Sequence, residues 1–363
     1  MSAVPININE PRGPFKSFGE QLQSIRQAET GLSIDSRLHE VHRRAAAAGG
    51  SEAVPADGGF LVQPEFAQDI LKRMYLTGDI ISRCTTFNII QPNRSSFRIP
   101  QFNELSRANG SRLGGVTAYY ENEADTLIAS KPAFRVSEFV PRKITGLVYL
   151  TDELLLDSDA LESWMIWALS QELTFKTEYG VVQGTGAGQP LGIVNAPATV
   201  TVAAEVGQAS GTVVAANIQK MLESFWAASY NSVGACWLYN QGLLQGLASL
   251  QTVVGTGGSE SKLWQWASSV QEFDLLAGFP ALISEYCSAP GTPGDIILCD
   301  LSRYVLAFRG PVRNELSIHL KFLTDEVAFR AIVRVNGSPV DNSPVTPLFG
   351  STSTSSFVTL AAR

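Results

Sequence analysis

The spacing of apolar residues separates an amino-terminal arm from the rest of the chain. Within residues 1–57 the apolar positions form only two short helical stripes, at 18–25 and 38–45, and neither is wide enough to build a core. An alanine and glycine tract at 45–50 then runs into the Pro-Ala-Asp-Gly-Gly sequence at 55–59, which is typical of a linker. We therefore expect residues 1–57 to be an arm that is held by other surfaces.

A strand-like pattern follows, after a short helix predicted from Pro64 onward. From Phe87 to Leu150 apolar residues alternate with polar ones, which predicts β-strands. Between these strands lies a long stretch with little apolar content, Gln101–Lys131. Excursions of that length are uncommon in compact domains unless they are functional. The pattern predicts a two-stranded ribbon that reaches away from the body and lies against a partner, because an isolated ribbon is only marginally stable.

The strongest helix pattern in the chain runs from Asp159 to Val182. Asp159 can cap the amino end, and Glu162 stands three positions later as its capping-box partner. At 1.5 Å per residue this helix has a length of about 36 Å, so we expect it to be the spine of a domain. Gly180 and Gly184 end it. The apolar stripe consists of Leu161, Met165, Ala168, Leu169 and Leu173.

A second region of mixed structure follows the long helix. Its helices are predicted near Asn217–Tyr230 and Gln241–Leu250. Its strands are predicted near Ala235–Tyr239, Ala281–Ser284 and Ile296–Asp300, and a further strand-like alternation spans Ser317–Arg334.

Composition and charge narrow the class of protein. A chain of 363 residues fits two compact units plus an extension, and 45% hydrophobic residues exclude wholesale disorder. No apolar run reaches the ~20 residues that span a bilayer, and residues 1–12 lack the basic and apolar regions of a secretory signal. The net charge of −7 argues against strong generic binding of nucleic acid.

The clearest apparent motif is the Gly-x-Gly-x-Gly sequence at 184–188. Glycines of this kind hold phosphates when they follow a strand and open a helix. Here they follow the long helix and precede Pro190, which is the reverse order. The alternatives are a nucleotide-binding loop and a turn that ends the helix, and the order of elements favours the turn.

The remaining candidates for chemistry each have a simpler structural interpretation. Acidic pairs at 152–153 and 157–159 stand at a helix start, where capping explains them. His39 and His42 lack nearby carboxylate ligands, and the four cysteines form no Cys-x-x-Cys pair. The tryptophans lack the interleaved basic residues of a base-stacking surface. We therefore expect no catalytic residue, cofactor or metal site.

Six segments, in order and spacing, resemble the HK97-like major capsid proteins of tailed double-stranded DNA bacteriophages. Each segment alone is moderately specific, whereas the ordered set is strong. The segments are Asp57–Pro64, Leu150–Ser158, Gln183–Val194, Gly278–Pro280, Gly294–Tyr304 and Ala328–Arg334.

The resemblance implies an α+β fold, the HK97-like capsid fold, with named parts. It also implies that the loop within 251–262, with Gly255, Gly257, Gly258 and Glu260, points at the axis of a capsomer. The implied parts are the N-terminal arm (1–57), a first P-domain segment (58–87), the E-loop and its base (88–145), the P-domain with the spine helix (146–211), the A-domain (212–310), the P-domain return strands (311–345) and a C-terminal segment (346–363).

The function implied is that of a major capsid protein in the virion, without enzymatic activity. Pentamers and hexamers of the chain form an icosahedral shell in the cytoplasm of a bacterial host, and this homo-oligomer holds packaged double-stranded DNA without sequence specificity. Further implied partners are a portal protein and a separate scaffold or decoration protein, with no membrane. The alternatives are an encapsulin-like nanocompartment or a gene transfer agent shell, and, more remotely, a soluble hydrolase or transferase.

Two departures from the family pattern refine this expectation. Only about 57 residues precede the common region, so we do not expect the large built-in scaffold that some members carry. Glu121 stands where other members have a cross-linking lysine, so we expect noncovalent contacts between E-loops and their neighbours. The charges predicted to pair between subunits, rather than to remain in a solvated loop, are Arg107 and Arg112 on one side of the ribbon tip and Glu121, Glu123 and Asp125 on the other.

Overall fold

A computed structural model of the chain combines helices with two large sheets, which agrees with the expected α+β class. Among the helices it describes, none is long and apolar enough to cross a membrane. The structure describes residues 15, 20, 24, 35–38, 60–61, 78–89, 96–121, 126, 128–151, 158–254, 259–267, 273–310, 312–321 and 326–363.

Among the described residues, the elements with defined bounds are mostly strands, together with three α-helices. The strands are β1 (Phe60–Leu61), β2 (Thr85–Ile89), β3 (Phe97–Phe102), β4 (Phe134–Phe139), β5 (Arg142–Thr151), β6 (Val200–Val202), β7 (Ala235–Tyr239), β8 (Gln251–Val254), β9 (Ser259–Lys262), β10 (Trp264–Gln265), β11 (Asp274–Leu276), β12 (Phe279–Ile283), β13 (Ile296–Asp300), β14 (Tyr304–Arg309), β15 (Arg313–Lys321), β16 (Glu326–Pro339) and β17 (Phe357–Leu360). The helices are α1 (Ser158–Gln183), α2 (Ala215–Ser224) and α3 (Leu244–Ala248), with 3-10 turns at Ile81–Arg83, Ala227–Ser229, Gln241–Leu243 and Leu301–Arg303.

The first sheet is organised by the long strand β16. This strand pairs with β5 along one edge, and with β15 and then β14 along the other, while β1 and β2 extend the sheet. Helix α1 covers one face of it. The approach is close at Gly146 of β5, where an added Cβ would lie 3.1 Å from Cδ2 of Leu169. Alternate residues of β5 and β16 therefore pack against the helix, and the others face away.

The second sheet has seven strands in the order β10-β11-β12-β7-β13-β17-β6. Every residue of β7 and β13 is buried, and α2 packs its Ile218 and Met221 into the same core as Trp237. Strand β17, near the carboxyl end of the chain, lies between β13 and β6. The sequence analysis gave no strand there, because one run of four residues offers too few positions to show a period.

Several predicted elements are confirmed and others differ in extent. The long helix is confirmed as α1. The predicted helix near Asn217–Tyr230 is shorter, because Phe225 turns to an extended conformation and packs its ring on Tyr230 and Phe279. The predicted helix after Pro64 lies outside the described residues.

Two residues of the predicted arm lie in the core of the chain's own body. Phe15 and Leu38 are buried in the cluster that contains Leu169 and Leu173 of α1. The Arg37 guanidinium lies 4.7 Å from the centroid of the Phe15 ring. The arm was expected to be held by other surfaces, and these two residues are held by the long helix of the same chain. The cysteines are free and buried; they are Cys84, Cys236, Cys287 and Cys299.

Candidate functional site

The predicted ribbon is present and is rooted on the first sheet. Strands β3 and β4 pair in antiparallel register from Phe97 opposite Phe139 to Phe102 opposite Phe134. At the base Phe139 is buried against Val305 of β14. At the outer end Phe102 and Phe134 are 49% and 63% exposed, with their ring centroids 5.3 Å apart. The ribbon thus leaves the body with its apolar outer half uncovered.

The exposed apolar surface continues beyond these strands into the ribbon tip. Contiguous exposed apolar surface marks interaction sites in soluble proteins. The sequence analysis described this stretch as polar, and that description was incomplete, because isolated apolar residues without a period give no strand or helix pattern. The exposed side chains are Leu105, Leu113, Val116, Tyr119, Tyr120 and Ile128.

The first part of the tip is fastened to the body of the same chain. The Arg107 guanidinium pairs with Glu104 and lies 5.1 Å from the centroid of the Trp226 ring. Arg303 lies over the same ring at 4.6 Å. The backbone amide of Arg107 also donates to the carbonyl oxygen of Thr346 at 2.8 Å. We call Arg107, Trp226 and Arg303 the Trp226 clasp.

The clasp is stabilised from the side of the body. Arg303 makes two hydrogen bonds with Asp341, at 2.8 and 2.5 Å, and Ser356 donates to the same carboxylate at 3.0 Å. Burial favours the neutral form of Arg303, but Asp341 outweighs it and leaves the pKa of the guanidinium raised. Asp341 and Ser356 thus hold the Arg303 side of the clasp in place.

The predicted inter-subunit charges occupy different local settings. Arg107 has partners within its own chain. Arg112 is exposed, and its backbone forms an isolated bridge with Val116. Glu121 accepts a hydrogen bond at Oε1 from the Ile128 amide at 3.1 Å. Pairing of these charges between subunits stays a prediction. Two further predicted residues, Glu123 and Asp125, lie outside the described residues.

The loop predicted to point at a capsomer axis lies at the end of a two-stranded hairpin. Strands β8 and β9 pair from Gln251 opposite Lys262 to Val254 opposite Ser259. The backbone of Glu260 stands opposite Val253. The turn residues Gly255, Gly257 and Gly258 lie outside the described residues, so their placement stays a prediction.

A basic surface that the sequence analysis missed lies on the first sheet, on the face away from α1. On β16, Arg330 and Arg334 face this side, because they alternate with Ala331 and Val333, whose register partners Gly146 and Ile144 lie on the helix side. Lys143 of β5 and Arg313 of β15 share the face through the same register, as does the acid Glu315. We call this surface the basic sheet face. Arginines four apart in an apolar strand were the sequence signal for it.

The charges of the basic sheet face are not balanced within the described part of the chain. Arg330 pairs with Glu315. Lys143 and Arg334 stand directly opposite each other, and like charges in that position are destabilising. Neither they nor Arg313 has an acidic partner among the described residues. The face is therefore suited to an anionic partner.

The glycine loop after α1 is confirmed as a turn that ends the helix. The amide of Ile193 donates to the carbonyl of Val181 at 2.8 Å, and that of Val194 donates to the carbonyl of Val182 at 3.1 Å. These bonds satisfy the last carbonyl groups of the helix, which lack partners within it. Gly186, with φ of +80°, supplies the left-handed geometry that the turn requires.

A buried carboxylate on α1, Glu178, holds backbone rather than a substrate. Oε1 of Glu178 accepts hydrogen bonds from the amides of Ile80 and Ile81 at 2.9 and 3.1 Å. Burial raises the pKa of this carboxyl, and the hydrogen bonds from the two backbone amides partly oppose that shift. Within the part of the chain that the structure describes, no three His, Cys, Asp or Glu residues are grouped as metal ligands. The chemistry here is that of packing and surface charge.

Comparison with known proteins gives similarity to capsid proteins. A sequence profile described as the phage capsid family matches residues 58–349, most of the chain. A search of curated protein sequences found no match.

Solved structures show the same fold at low sequence identity. The capsid of an empty GTA particle is 16% identical, with a TM-score of 0.56, and the match covers 79% of this chain and 90% of that one. A chain of Microbacterium phage Oxtober96 is 15% identical over 78% of this chain and 90% of that one, with a TM-score of 0.51. A chain of Mycobacterium phage Adephagia is 14% identical over 78% of this chain and 89% of that one, with a TM-score of 0.50.

Proposed function

Because this chain belongs to the phage capsid family, we propose that its copies assemble as pentamers and hexamers into an icosahedral shell around double-stranded DNA. The chain is a major capsid protein, a structural component of the virion. The family match over residues 58–349 is the observation that carries this conclusion. Head-to-tail contacts between copies close into rings when their rotation permits, which is what pentamers and hexamers require.

The ribbon and the basic sheet face are the two halves of the contact that we propose between neighbours in a ring. The ribbon tip carries Glu121, Glu123 and Asp125 on its return side, and the basic sheet face carries Lys143 and Arg334. Opposite charges relieve the repulsion between those two cations. The exposed aromatic pair at the outer end of the ribbon adds apolar area to the contact.

Each contact between neighbours contributes little free energy, so assembly depends on many copies of it. An exposed ion pair contributes only about 0.2–1 kcal/mol, so one ribbon would dock weakly. In a ring every subunit gives one ribbon and receives one, and repeated weak contacts add up to avidity. Docking on a neighbour offsets the conformational entropy that an ordered ribbon tip loses.

A portal protein, a separate scaffold or decoration protein and assembly in the bacterial cytoplasm complete the proposal. The net charge of the whole chain is −7, which fits DNA held loosely with its counterions rather than bound tightly. A second candidate is the shell of a gene transfer agent, and the similarity to the GTA capsid favours it. An encapsulin-like compartment is the third.

The contents of purified particles test these possibilities. We expect particles to contain nuclease-protected double-stranded DNA. Fragments of random host sequence inside the particle would support the gene transfer agent, and a single phage genome would support the virion. An enzyme cargo with no nucleic acid would contradict both and favour the encapsulin-like compartment.

A further inference from the structure

A fully buried ion pair ties the segment after β17 to the start of β13 in the second sheet. The Arg363 guanidinium pairs with the Asp295 carboxylate, with Nη2 2.6 Å from Oδ2 and Nη1 3.2 Å from Oδ1, and neither side chain is exposed. Two parallel hydrogen bonds between opposite charges are among the strongest polar contacts in proteins. Because both charges are removed from water, loss of one partner would leave the other buried without its counter-charge.

The pocket that holds the Arg363 side chain is built from groups that match a guanidinium. Its Nε donates to the carbonyl oxygen of Thr212, and the amide of Gly291 donates to Oδ2 of Asp295 at 2.8 Å. The backbone of Arg363 is held as well, because its amide donates to the carbonyl oxygen of Gly291 at 3.0 Å and its backbone oxygen accepts from the Ser210 hydroxyl at 3.0 Å. A planar fork of donors satisfies this set of acceptors, whereas an ammonium group cannot.

The residues just before Arg363 form an interior strand of the second sheet. Strand β17 pairs with β13 on one side and with β6 on the other. Among the described residues β6 has no other strand partner, so β6 is held in the sheet only through β17. Val358 and Leu360 of β17 are buried in the core that contains Ile218 and Met221 of α2. If β17 left its place, the sheet would lose β17 and β6 together.

The other end of the same segment is tied to the Trp226 clasp. The amide of Trp226 donates to the carbonyl oxygen of Ser355 at 2.9 Å. The hydroxyl of Ser356 donates at 3.0 Å to the Asp341 carboxylate, which also binds the arginine on the body side of the clasp. Residues 355–363 therefore run from the clasp to the buried ion pair, and we call them the strap. The ribbon is fastened at one end of the strap, and the second sheet is closed at the other.

We propose that the strap couples these two parts of the subunit: when Arg363 seats on Asp295, it completes the second sheet and also fixes the Trp226 clasp, from which the ribbon leaves the body. The pocket is a guanidinium-binding site whose ligand belongs to the same chain. A subunit with an unseated strap has an open second sheet and a loosened clasp at once. In the proposed shell, such a subunit would present its ribbon in no fixed direction to a neighbour. That consequence rests on the proposed function, whereas the coupling is a property of the single subunit.

Amide hydrogen exchange of the free, full-length subunit measures the coupling. Arg363→Ala should accelerate exchange of the β17 and β6 amides by about a hundredfold, because a buried carboxylate is left without its partner. The Arg107 amide, in the clasp, should accelerate with them by about fivefold or more. Arg98→Ala breaks an exposed ion pair on the ribbon; it is the matched control and should change neither set of amides. Faster exchange of the strands with an unchanged Arg107 amide would overturn the coupling.

A small guanidinium compound tests whether the pocket itself drives the change. Arg363→Ala leaves space beside the Asp295 carboxylate, so ethylguanidinium, at concentrations far below those that denature proteins, should restore protection at β17 and at the Arg107 amide together. Ethylammonium carries the same charge without the planar fork and should restore neither. The natural chain, whose pocket is filled, should respond to neither cation. Equal effects of the two cations, or rescue of β17 alone, would contradict the proposal.

A milder variant keeps the test decisive if Arg363→Ala unfolds. Arg363→Lys retains the positive charge and loses the fork, so the chain should stay folded and exchange should accelerate at β17 and at the Arg107 amide by smaller factors. Independent changes at the two places would overturn the coupling. All of these measurements use the free subunit, so their failure leaves the proposed assembly standing, and a failure of assembly leaves the strap standing.

Discussion

Glu178 shows how a buried carboxyl can hold a chain segment in place. It accepts two amide hydrogen bonds from the turn at 80–81 in a setting where burial raises its pKa. The carboxyl has a higher pKa in the folded chain than in the unfolded chain, so its protonation stabilises the fold. This stabilisation is complete at pH values below the unfolded pKa. It is lost as the pH rises through the raised folded pKa.

The first prediction follows from this loss of stability with rising pH. Glu178→Gln keeps an oxygen acceptor for both amides and removes the buried charge, so the variant should be at least as stable as the natural chain at neutral pH. Its free energy of unfolding should also lose the part of the pH dependence due to this group. Urea unfolding from mildly acidic to neutral pH measures both. An unchanged pH slope in Glu178→Gln would contradict the assignment. Glu178→Ala should be less stable throughout, since the amides lose their acceptor.

A second prediction at the residue scale concerns the turn after α1. A Cβ at Gly184 would lie 2.1 Å from the carbonyl oxygen of Pro190, so Gly184→Ala should destabilise the fold by about 1–3 kcal/mol or more. Gly188 has a φ of +76° but no atom within 4 Å of an added Cβ. Gly188→Ala is therefore the control and should cost only about 1–2 kcal/mol. Urea midpoints compare the two, and an equal loss would show that contact at Gly184 is unimportant.

Residue roles were the least accessible from sequence. Arg107 was expected to pair across subunits, and the structure gives it Glu104 and Trp226 as partners in its own chain. Glu104 is close in sequence, but Trp226 lies far along the chain, and a contact of that kind leaves no local pattern. The carboxyl group of Glu178 gave no signal for the same reason, because its partners at 80–81 are distant in sequence.

At the scale of elements, the Trp226 clasp sets where the ribbon leaves the body. Cation–π contacts contribute about 0.5–2 kcal/mol each, so Trp226→Ala should release the loop 103–107 without unfolding the chain. Hydrogen exchange at the Arg107 amide, which bonds to Thr346, should rise in Trp226→Ala and change little in Trp226→Phe, because phenylalanine keeps an aromatic face. Protection that is unchanged in Trp226→Ala would mean that the backbone bonds alone hold the loop.

The proposed contact between ribbon and sheet allows a charge-swap prediction. Lys143→Glu with Arg334→Glu should weaken assembly most at low salt, where repulsion from the acidic ribbon tip is least screened. Adding Glu121→Lys, Glu123→Lys and Asp125→Lys in the same chain should restore assembly. Sedimentation across a salt series measures the assembled fraction. If the variant with all five substitutions folds but does not regain assembly, the ribbon docks on another surface.

Elements with a sustained period were predictable, and those defined by tertiary contact were not. The sequence locates helix α1 almost to its ends, and Gly184 directly follows its last residue. Asp159 and Gly180, predicted to cap and to end it, lie within the helix. Strand β17 has four residues, and only its position between β13 and β6 makes it a strand. The basic sheet face combines residues of β5, β15 and β16, so it exists only once their register is known.

At the scale of the whole molecule, an acidic chain presents, in the part that the structure describes, a basic sheet face and a ribbon with exposed apolar side chains. The resemblance of six ordered segments predicted the capsid fold, and the match of residues 58–349 to the phage capsid family confirms it. Overall identity to solved chains of the same fold is only 14–16%, so the order and spacing of the segments, rather than overall identity, carried the prediction.

Electron microscopy of the purified, full-length protein tests assembly most directly. The account predicts closed icosahedral shells with pentamers and hexamers, in which each ribbon lies over the Lys143 and Arg334 face of an adjacent subunit. Boiling these shells in SDS should give one band near the mass of the monomer, since the contacts are noncovalent. Monomers that stay dispersed at high concentration, or shells whose ribbons contact only their own subunit, would contradict the account.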